Sequence, residues 1–198
     1  WYSPLAVADT TRLFVKGANV VSSTSDFFLS GSWRIFIGRA TTATDYISHQ
    51  SVFVTGTNAF YAATVNIGGE ANGQIHFYMG SSTVTAREIL VSQVTDGAGA
   101  LTTDAADNWV FGNTAGIAPM GGDISYLEIS SGILTLPRIR DKQFAPTTST
   151  GTLLFLNFAN AGSSPTVVDE SVYRNNCTMT RIQGSNFGAP ISIGGSNQ

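Results

Sequence analysis

Short strand-like runs, each closed by a turn signal, recur along this chain and restrict what it can fold into. In the clearest run, Trp33, Ile35 and Ile37 occupy every second position after a Ser-Gly turn. This period of two is the pattern of a β-strand that rests one face on a core. About ten such runs occur, and no amphipathic helix of three turns interrupts them. The chain is therefore predicted to be all-β, with two packed antiparallel sheets.

One turn signal also predicts which strands pair. Asn72 and Gly73 are residue types that tolerate the positive φ angles of a tight two-residue hairpin turn. This turn is expected to join the strand that begins at Phe60 to the strand that begins at Gln74.

Charge and hydropathy exclude two classes of partner. Charged residues make up 12% of the 198 positions, and the formal net charge is −3 without any basic cluster. Nucleic-acid binding is not expected, because it needs clustered Lys or Arg. No run reaches the roughly 18 apolar residues of a membrane helix, so no membrane partner is expected. The single Cys177 is interpreted as a small buried apolar residue. The isolated His49 and His76 are interpreted as surface or hydrogen-bonding residues, and His76 is expected to face outward from its strand.

Two stretches carry a resemblance to a known family. They are DFFLSGSWRIFIGRA (26–40) and GGDISYLEISSGILTLPRI (121–139). Their order is similar to that in the concanavalin A-like lectin and glucanase superfamily, and in particular in laminin G-like domains. The second stretch matches the family's closing pattern, in which a strand leads to a helical turn of the form Leu-x-x-x-x-Ile, here Leu134 to Ile139. The resemblance implies a two-sheet antiparallel jelly-roll sandwich.

The segment after that closing pattern resembles the opening of such a domain. Its apolar run, Leu153 to Phe158, precedes polar turns, as at the start of the family. Residues 150–183 are then predicted to supply the usual opening strands of one circularly permuted domain, 1–183, followed by a polar C-terminal tail, 184–198. The alternative is a fragment between tandem repeats with a linker at 143–150. Permutation is favoured, because half a domain would leave the apolar strand unburied.

The sequence lacks the pair of carboxylates that the family's glucanases use for catalysis. A retaining glycosidase needs two carboxylates about 5 Å apart. The nearest pair, Asp123 and Glu128, are five positions apart and so on opposite faces of a strand, and Gly121 stands where the family's first Glu would be. No Gly-x-Ser-x-Gly elbow is present. The chain is therefore expected not to be an enzyme, and no catalytic residue is predicted.

The resemblance implies calcium as the candidate metal, because such domains often bind it at the sandwich rim. Asp104 and Asp107 are the candidate ligands, in one of three acid-bearing loops; the others contain Asp96 and Asp169. Since no Asp-x-Asp spacing repeats, the favoured interpretation of all three loops is solvated turn residues. No other metal or cofactor is expected.

Aromatic rings are the candidates for stacking on a sugar or packing on a partner. Tyr46 and Trp109 lie in the body of the chain, and Trp1 and Tyr2 lie at its start. Three other tyrosines are candidates for the same role: Tyr61, Tyr78 and Tyr126. Core packing is the favoured interpretation of the rings outside the chain start.

The low charge, the abundant Ser, Thr and Gly, and the missing carboxylate pair favour a non-enzymatic structural or interaction protein. The plain, cysteine-poor pattern resembles laminin G-like domains of tailed-phage virion proteins and of bacterial surface proteins. That resemblance implies a capsid-decoration or tail- or fibre-associated subunit at a virion surface, or an extracellular cell-surface subunit. Its expected partners are other virion or surface subunits, including copies of itself. A carbohydrate-binding module with a glycan ligand is the alternative, and a glycoside hydrolase is the least favoured class.

Overall fold

A computed structural model describes residues 2–4, 11–16, 25–30, 32–37, 39–41, 44–48, 56–66, 75–95, 97–100, 109–111, 122–158 and 166–178. These residues are mostly β-strand in antiparallel pairs, and they include one helix. At this level the all-β prediction is confirmed.

The strands and the helix of the described residues have the following bounds in chain order: β1 Tyr2–Pro4, β2 Thr11–Lys16, β3 Ser25–Ser30, β4 Ser32–Ile37, β5 Thr44–Ser48, β6 Phe60–Val65, β7 Ile75–Gly80, β8 Arg87–Ile89, β9 Val91–Thr95, β10 Trp109–Phe111, β11 Gly122–Ile124, β12 Tyr126–Ser130, α1 Leu136–Phe144, β13 Thr152–Asn157, β14 Thr166–Val167 and β15 Cys177–Thr178.

Two sheets contain most of the described strands. Six strands follow the order β10-β2-β3-β4-β5-β9, and three strands follow the order β6-β7-β8. Smaller antiparallel pairs are β1 with β11, β12 with β13, and β14 with β15. In β6 and β7, Phe60 lies opposite Gly80 and Val65 lies opposite Ile75. The predicted pairing of these strands is thus confirmed, while the turn at 72–73 lies outside the described residues.

The two main sheets share one hydrophobic core. Trp33, Ile35 and Ile37 of β4 are buried against Ile75 and Phe77 of β7. This burial confirms the period-two pattern of β4. The rings of Trp33 and Phe77 are stacked, with their centroids 4.8 Å apart. Alternate side chains of β4 in the six-stranded sheet therefore pack against side chains of β7 in the three-stranded sheet.

Helix α1 covers part of the other face of the three-stranded sheet. It begins just after Thr135, in extended backbone, and has proline in its first turn, where a missing N–H costs no hydrogen bond. Ile139 is buried beside Phe60 and Tyr78, and Leu134 packs on the same cluster. The predicted Leu-x-x-x-x-Ile helical turn is confirmed and continues to Phe144. Among the described residues, no helix is long and apolar enough to cross a bilayer.

Two runs of the sequence that have a strand-like pattern are interrupted where the chain changes sheets. The run Glu88 to Val94 is divided at Leu90, because β8 belongs to the three-stranded sheet and β9 to the six-stranded sheet. The run Ile124 to Ile129 bends at Ser125, because β11 pairs with β1 whereas β12 pairs with β13. A uniform apolar pattern does not reveal such a change of partner.

The apolar run near the C-terminal end of the described chain is a paired strand. Strand β13 lies antiparallel to β12, and Leu154 and Leu156 are buried in one cluster with Val167 of β14. The single permuted domain, 1–183, stays a prediction. The predicted tail, 184–198, lies outside the described residues.

Candidate functional site

The aromatic residues singled out from the sequence lie on different strands. Tyr2 is in β1, opposite Ile124, while Tyr46 is in β5 and Trp109 is in β10. Strands β5 and β10 belong to the same sheet but have β2, β3 and β4 between them. At about 4.8 Å per strand, Tyr46 and Trp109 are separated by roughly 19 Å across the sheet. The described structure thus does not bring these two residues into one site.

Three predicted site residues, Trp1, Asp104 and Asp107, lie outside the described residues. Within the described part of the chain, no group of three or more His, Cys, Asp or Glu is arranged to hold a metal ion.

The three tyrosines interpreted as packing residues have that role. Tyr78 is buried, and the ring of Tyr61 meets Trp33 edge to face at 5.7 Å. The Tyr126 hydroxyl donates to the carbonyl oxygen of Lys142 at 2.7 Å and so ties β12 to the last turn of α1. The packing interpretation is confirmed for these tyrosines.

A polar cluster centred on Glu128 joins β12, β13 and α1. Its Oε1 accepts hydrogen bonds from Lys142 Nζ at 2.7 Å, Ser130 Oγ at 2.9 Å and Thr152 Oγ1 at 3.0 Å. The Glu128 and Lys142 side chains are only 10% and 12% exposed. Lys142 Nζ also donates to the carbonyl oxygen of Thr147, which holds the chain after the helix.

A β-bulge places Thr152 in this cluster. Ile129 lies opposite Leu154, but its neighbour Ser130 lies opposite Thr152, so Leu153 is an extra residue in β13. The extra residue brings the Thr152 hydroxyl to the Glu128 side of the strand pair. The cluster therefore depends on a local irregularity that alternation along the sequence does not indicate.

Glu128 serves as an internal hydrogen-bond acceptor. One ammonium group and two hydroxyls donate to its Oε1, so the carboxylate links β12 to β13 and to α1. Asp123, its nearest acidic neighbour in sequence, lies on β11, beyond the bend at Ser125. The two residues are thus on separate strands rather than on one catalytic strand.

Asp169 forms a second buried carboxylate site. Its Oδ1 accepts from the backbone amides of Phe155 at 2.8 Å and Ser171 at 2.9 Å. Its Oδ2 accepts from the Ser171 hydroxyl and the Asn175 amide, each at 2.7 Å. The Asp169 amide in turn donates to Asn176 Oδ1 at 3.0 Å. The residue is fully buried, so its interpretation as a solvated turn residue is wrong.

Hydrogen bonding sets the charge of Asp169. Burial opposes ionisation and raises the pKa, but the bonds from Phe155, Ser171 and Asn175 together outweigh it and hold the pKa below its ordinary value. The carboxylate is therefore charged, and hydrogen-bond donors of the protein occupy both of its oxygens. Neither oxygen has a lone pair left to react with a molecule from solvent. Its structural effect is to attach the 169–175 loop to the edge of β13.

Cys177 lies close to this site and is a packing residue. It is half-buried against the cluster of Leu154, Leu156 and Val167. Burial, and then the negative charge of Asp169, raise the pKa of its thiol. A raised pKa disfavours the thiolate that a nucleophile requires. This agrees with the interpretation from the sequence.

Gln143 is a buried contact that the sequence did not indicate. Its Oε1 accepts from the Ala86 amide at 2.6 Å, and its Nε2 donates to the carbonyl oxygens of Ser81 at 2.7 Å and Val84 at 2.8 Å. Gly80 allows this approach, since a Cβ there would lie 2.5 Å from Gln143 Nε2. The amide side chain thus attaches α1 to the loop between β7 and β8.

The remaining candidate is an open groove beside β8. It has a volume of about 330 Å³ and is lined by Ile75, His76, Glu88, Ile89, Leu90 and Val91. His76 Nδ1 donates to Glu88 Oε1 at 2.6 Å, because a carboxylate can only accept. Both side chains are partly exposed, as predicted for His76. The imidazole ring of His76 and the carboxylate of Glu88 are thus the paired polar groups of the groove.

Comparisons with known proteins give no relative: no family model, curated protein or solved structure matches the chain. The similarity to laminin G-like domains stays a resemblance of sequence pattern.

Proposed function

We propose that the chain is a non-enzymatic structural and interaction subunit with a laminin G-like jelly-roll sandwich, carried on the surface of a virion or a cell. The observation that carries this proposal is the internal hydrogen bonding of two carboxylates, the buried Asp169 and the partly buried Glu128. Glu128 and Asp169 each accept several internal hydrogen bonds and attach a helix end or a loop to a strand. Polar groups engaged in this way support a rigid surface rather than a reaction.

The experiment that tests the proposal is a search for hydrolysis. The purified chain is incubated with a panel of polysaccharides, alongside the variants Glu128→Gln, Asp123→Asn and, as an exposed control, Asp141→Asn. No release of reducing sugar is expected from any of them. Hydrolysis that disappears in Glu128→Gln or Asp123→Asn but persists in Asp141→Asn, with all variants folded, would overturn the proposal.

The groove beside β8 favours a carbohydrate-binding module as the second candidate. It combines the imidazole of His76 and the carboxylate of Glu88 with the apolar side chain of Leu90, which is 76% exposed. A sugar offers both hydroxyl donors and an apolar ring face to such a surface.

A glycan array decides between the two candidates. Binding that is lost in His76→Ala and Glu88→Gln, but kept when the exposed Thr83 is changed to Ala, would establish the binding module. Absence of binding would leave the structural subunit.

A further inference from the structure

The groove beside β8 has a polar side and an apolar side, and the polar side carries a carboxylate. Glu88 and His76 form the polar side. The apolar side consists of four aliphatic residues, Ile75, Ile89, Leu90 and Val91. The volume of about 330 Å³ lies at the lower end of the range of small-molecule sites. A ligand as small as a single sugar ring therefore contacts both sides of the groove at once.

One of the two carboxylate oxygens of Glu88 is available to a ligand. Oε1 accepts from His76 Nδ1 at 2.6 Å, and this bond restricts the orientation of the carboxylate. Oε2 has no hydrogen-bond partner among the described residues, and the side chain is 52% exposed. Because a carboxylate oxygen only accepts hydrogen bonds, a ligand at this position must supply the donor.

The charge of Glu88 is not balanced by a basic residue of the groove. Among the described residues that line the groove, Glu88 is the only acid, and none is lysine or arginine. Arg87 precedes Glu88 in β8, and successive side chains of a strand point to opposite faces of the sheet. Arg140 donates from Nε to the carbonyl oxygen of Ala86 at 2.9 Å and is not among the described lining residues. The carboxylate therefore favours a cationic ligand and disfavours an anionic one.

We propose that the groove binds an amino sugar, with the ammonium group on Oε2 of Glu88 and a C–H face of the ring on the aliphatic side chains. The inference rests on the carbohydrate-binding candidate, because it names the class of sugar that this site selects. A protonated amine supplies the hydrogen-bond donor together with the opposite charge, whereas a neutral sugar supplies the donor alone. A uronic acid brings a second carboxylate to the groove and is rejected by like-charge repulsion.

A matched series of monosaccharides tests the selection by charge. Glucosamine, glucose, N-acetylglucosamine and glucuronic acid share one ring and differ in the charge of a single substituent. NMR titration of the isotope-labelled chain at neutral pH measures weak affinities that an array does not detect. We expect glucosamine to bind about 3-fold tighter than glucose and N-acetylglucosamine, and glucuronic acid to bind more weakly than glucose. Added salt should narrow these differences, because an exposed ion pair is screened.

Two carboxylate variants test whether Glu88 causes the preference. Glu88→Gln keeps an acceptor oxygen but removes the charge, so the preference for glucosamine should disappear. Asp141→Asn is the matched control, because it removes the charge of an exposed carboxylate on α1, outside the described lining of the groove. The preference should persist in this control. Amide spectra like that of the wild type show that each variant is folded.

The outcomes separate this inference from the function on which it rests. Equal binding of glucosamine and glucose by the wild type, or a preference that persists in Glu88→Gln, would overturn the inference and leave the carbohydrate-binding module standing. A wild-type chain that binds none of the four sugars would refute the inference and that module together, and would leave the structural subunit.

Discussion

The contact of Gln143 with the loop 81–86 permits a sharp test of how α1 is held on the sheet. Gln143 is 1% exposed, and its side chain makes three hydrogen bonds to backbone groups of the loop. Gln143→Met keeps nearly the same volume but loses all three bonds. At about 1 kcal/mol each, with some water reaching the partly buried carbonyls, the expected loss in the free energy of unfolding is about 2–3 kcal/mol.

Gln143→Glu is expected to be worse than Met at neutral pH. The carboxylate keeps the bond to the Ala86 amide, but its second oxygen replaces the Nε2 that donates at 2.7 Å and 2.8 Å to two carbonyl oxygens. Two bonds are lost and a buried charge faces acceptors, which together cost about 4–5 kcal/mol.

The pH dependence separates this explanation from a general loss of packing. Burial and the facing carbonyls would raise the pKa of the new carboxyl in the folded state. The folded variant then binds a proton more readily than the unfolded chain, so its deficit is largest above the folded pKa and narrows as the pH falls through it. Once protonated, the carboxyl can donate to one of the carbonyls.

Urea unfolding followed by tryptophan fluorescence at neutral and mildly acidic pH measures the difference between the Glu and Met variants. Arg138→Gln is the control, because it makes the same change in charge at an exposed position of the same helix, and it should stay within about 0.5 kcal/mol of wild type. Equal stability of the Glu and Met variants, or a gap that widens as the pH falls, would refute the reasoning.

Two further changes test the hydrogen-bonded carboxylates of Asp169 and Glu128. Asp169→Asn is expected to cost about 2–3 kcal/mol, because its amide nitrogen would face two donors whichever way it is turned. Since the folded pKa of Asp169 is lowered, the wild-type carboxylate contributes stability above its ordinary value of 3.8 and loses it as the pH falls through the folded pKa. Unfolding curves from about pH 7 to about pH 2 should therefore show a smaller acid loss in the Asn variant, and an equal loss would contradict the account. Lys142→Met should cost about 2–4 kcal/mol by leaving Glu128 without its cation, and adding Glu128→Gln should recover part of that loss. Additive effects of the single changes in a double-mutant cycle would exclude a contribution from the ion pair.

Local patterns predict the strands of this chain well, because alternation and turn residues act over a few positions. Burial of Trp33, Ile35 and Ile37, the β6–β7 pairing and the helical turn ending at Ile139 all follow from such patterns. The contacts of Gln143 do not, because their partners lie 57 to 62 residues away and have no side-chain signal of their own.

The Asp169 site is an intermediate case. An Asp two residues before a Ser indicates a local turn in which the carboxylate accepts the Ser171 amide. The bond from Phe155 is not visible in the sequence, because it requires the loop to lie along β13. That bond holds the carboxylate of an ordinary polar turn in a buried position.

The passage of the chain from β8 to β9 through the single residue Leu90 has a consequence for cooperativity. A one-residue link is too short to let the two sheets move apart. The three-stranded sheet can therefore separate from the six-stranded sheet only if β8 or β9 loses its hydrogen bonds to the neighbouring strands of its own sheet. Each sheet thereby hinders the local unfolding of the other. We expect the amide hydrogens of β7 and β5, one from each layer, to exchange with solvent through the same global opening rather than through two independent ones.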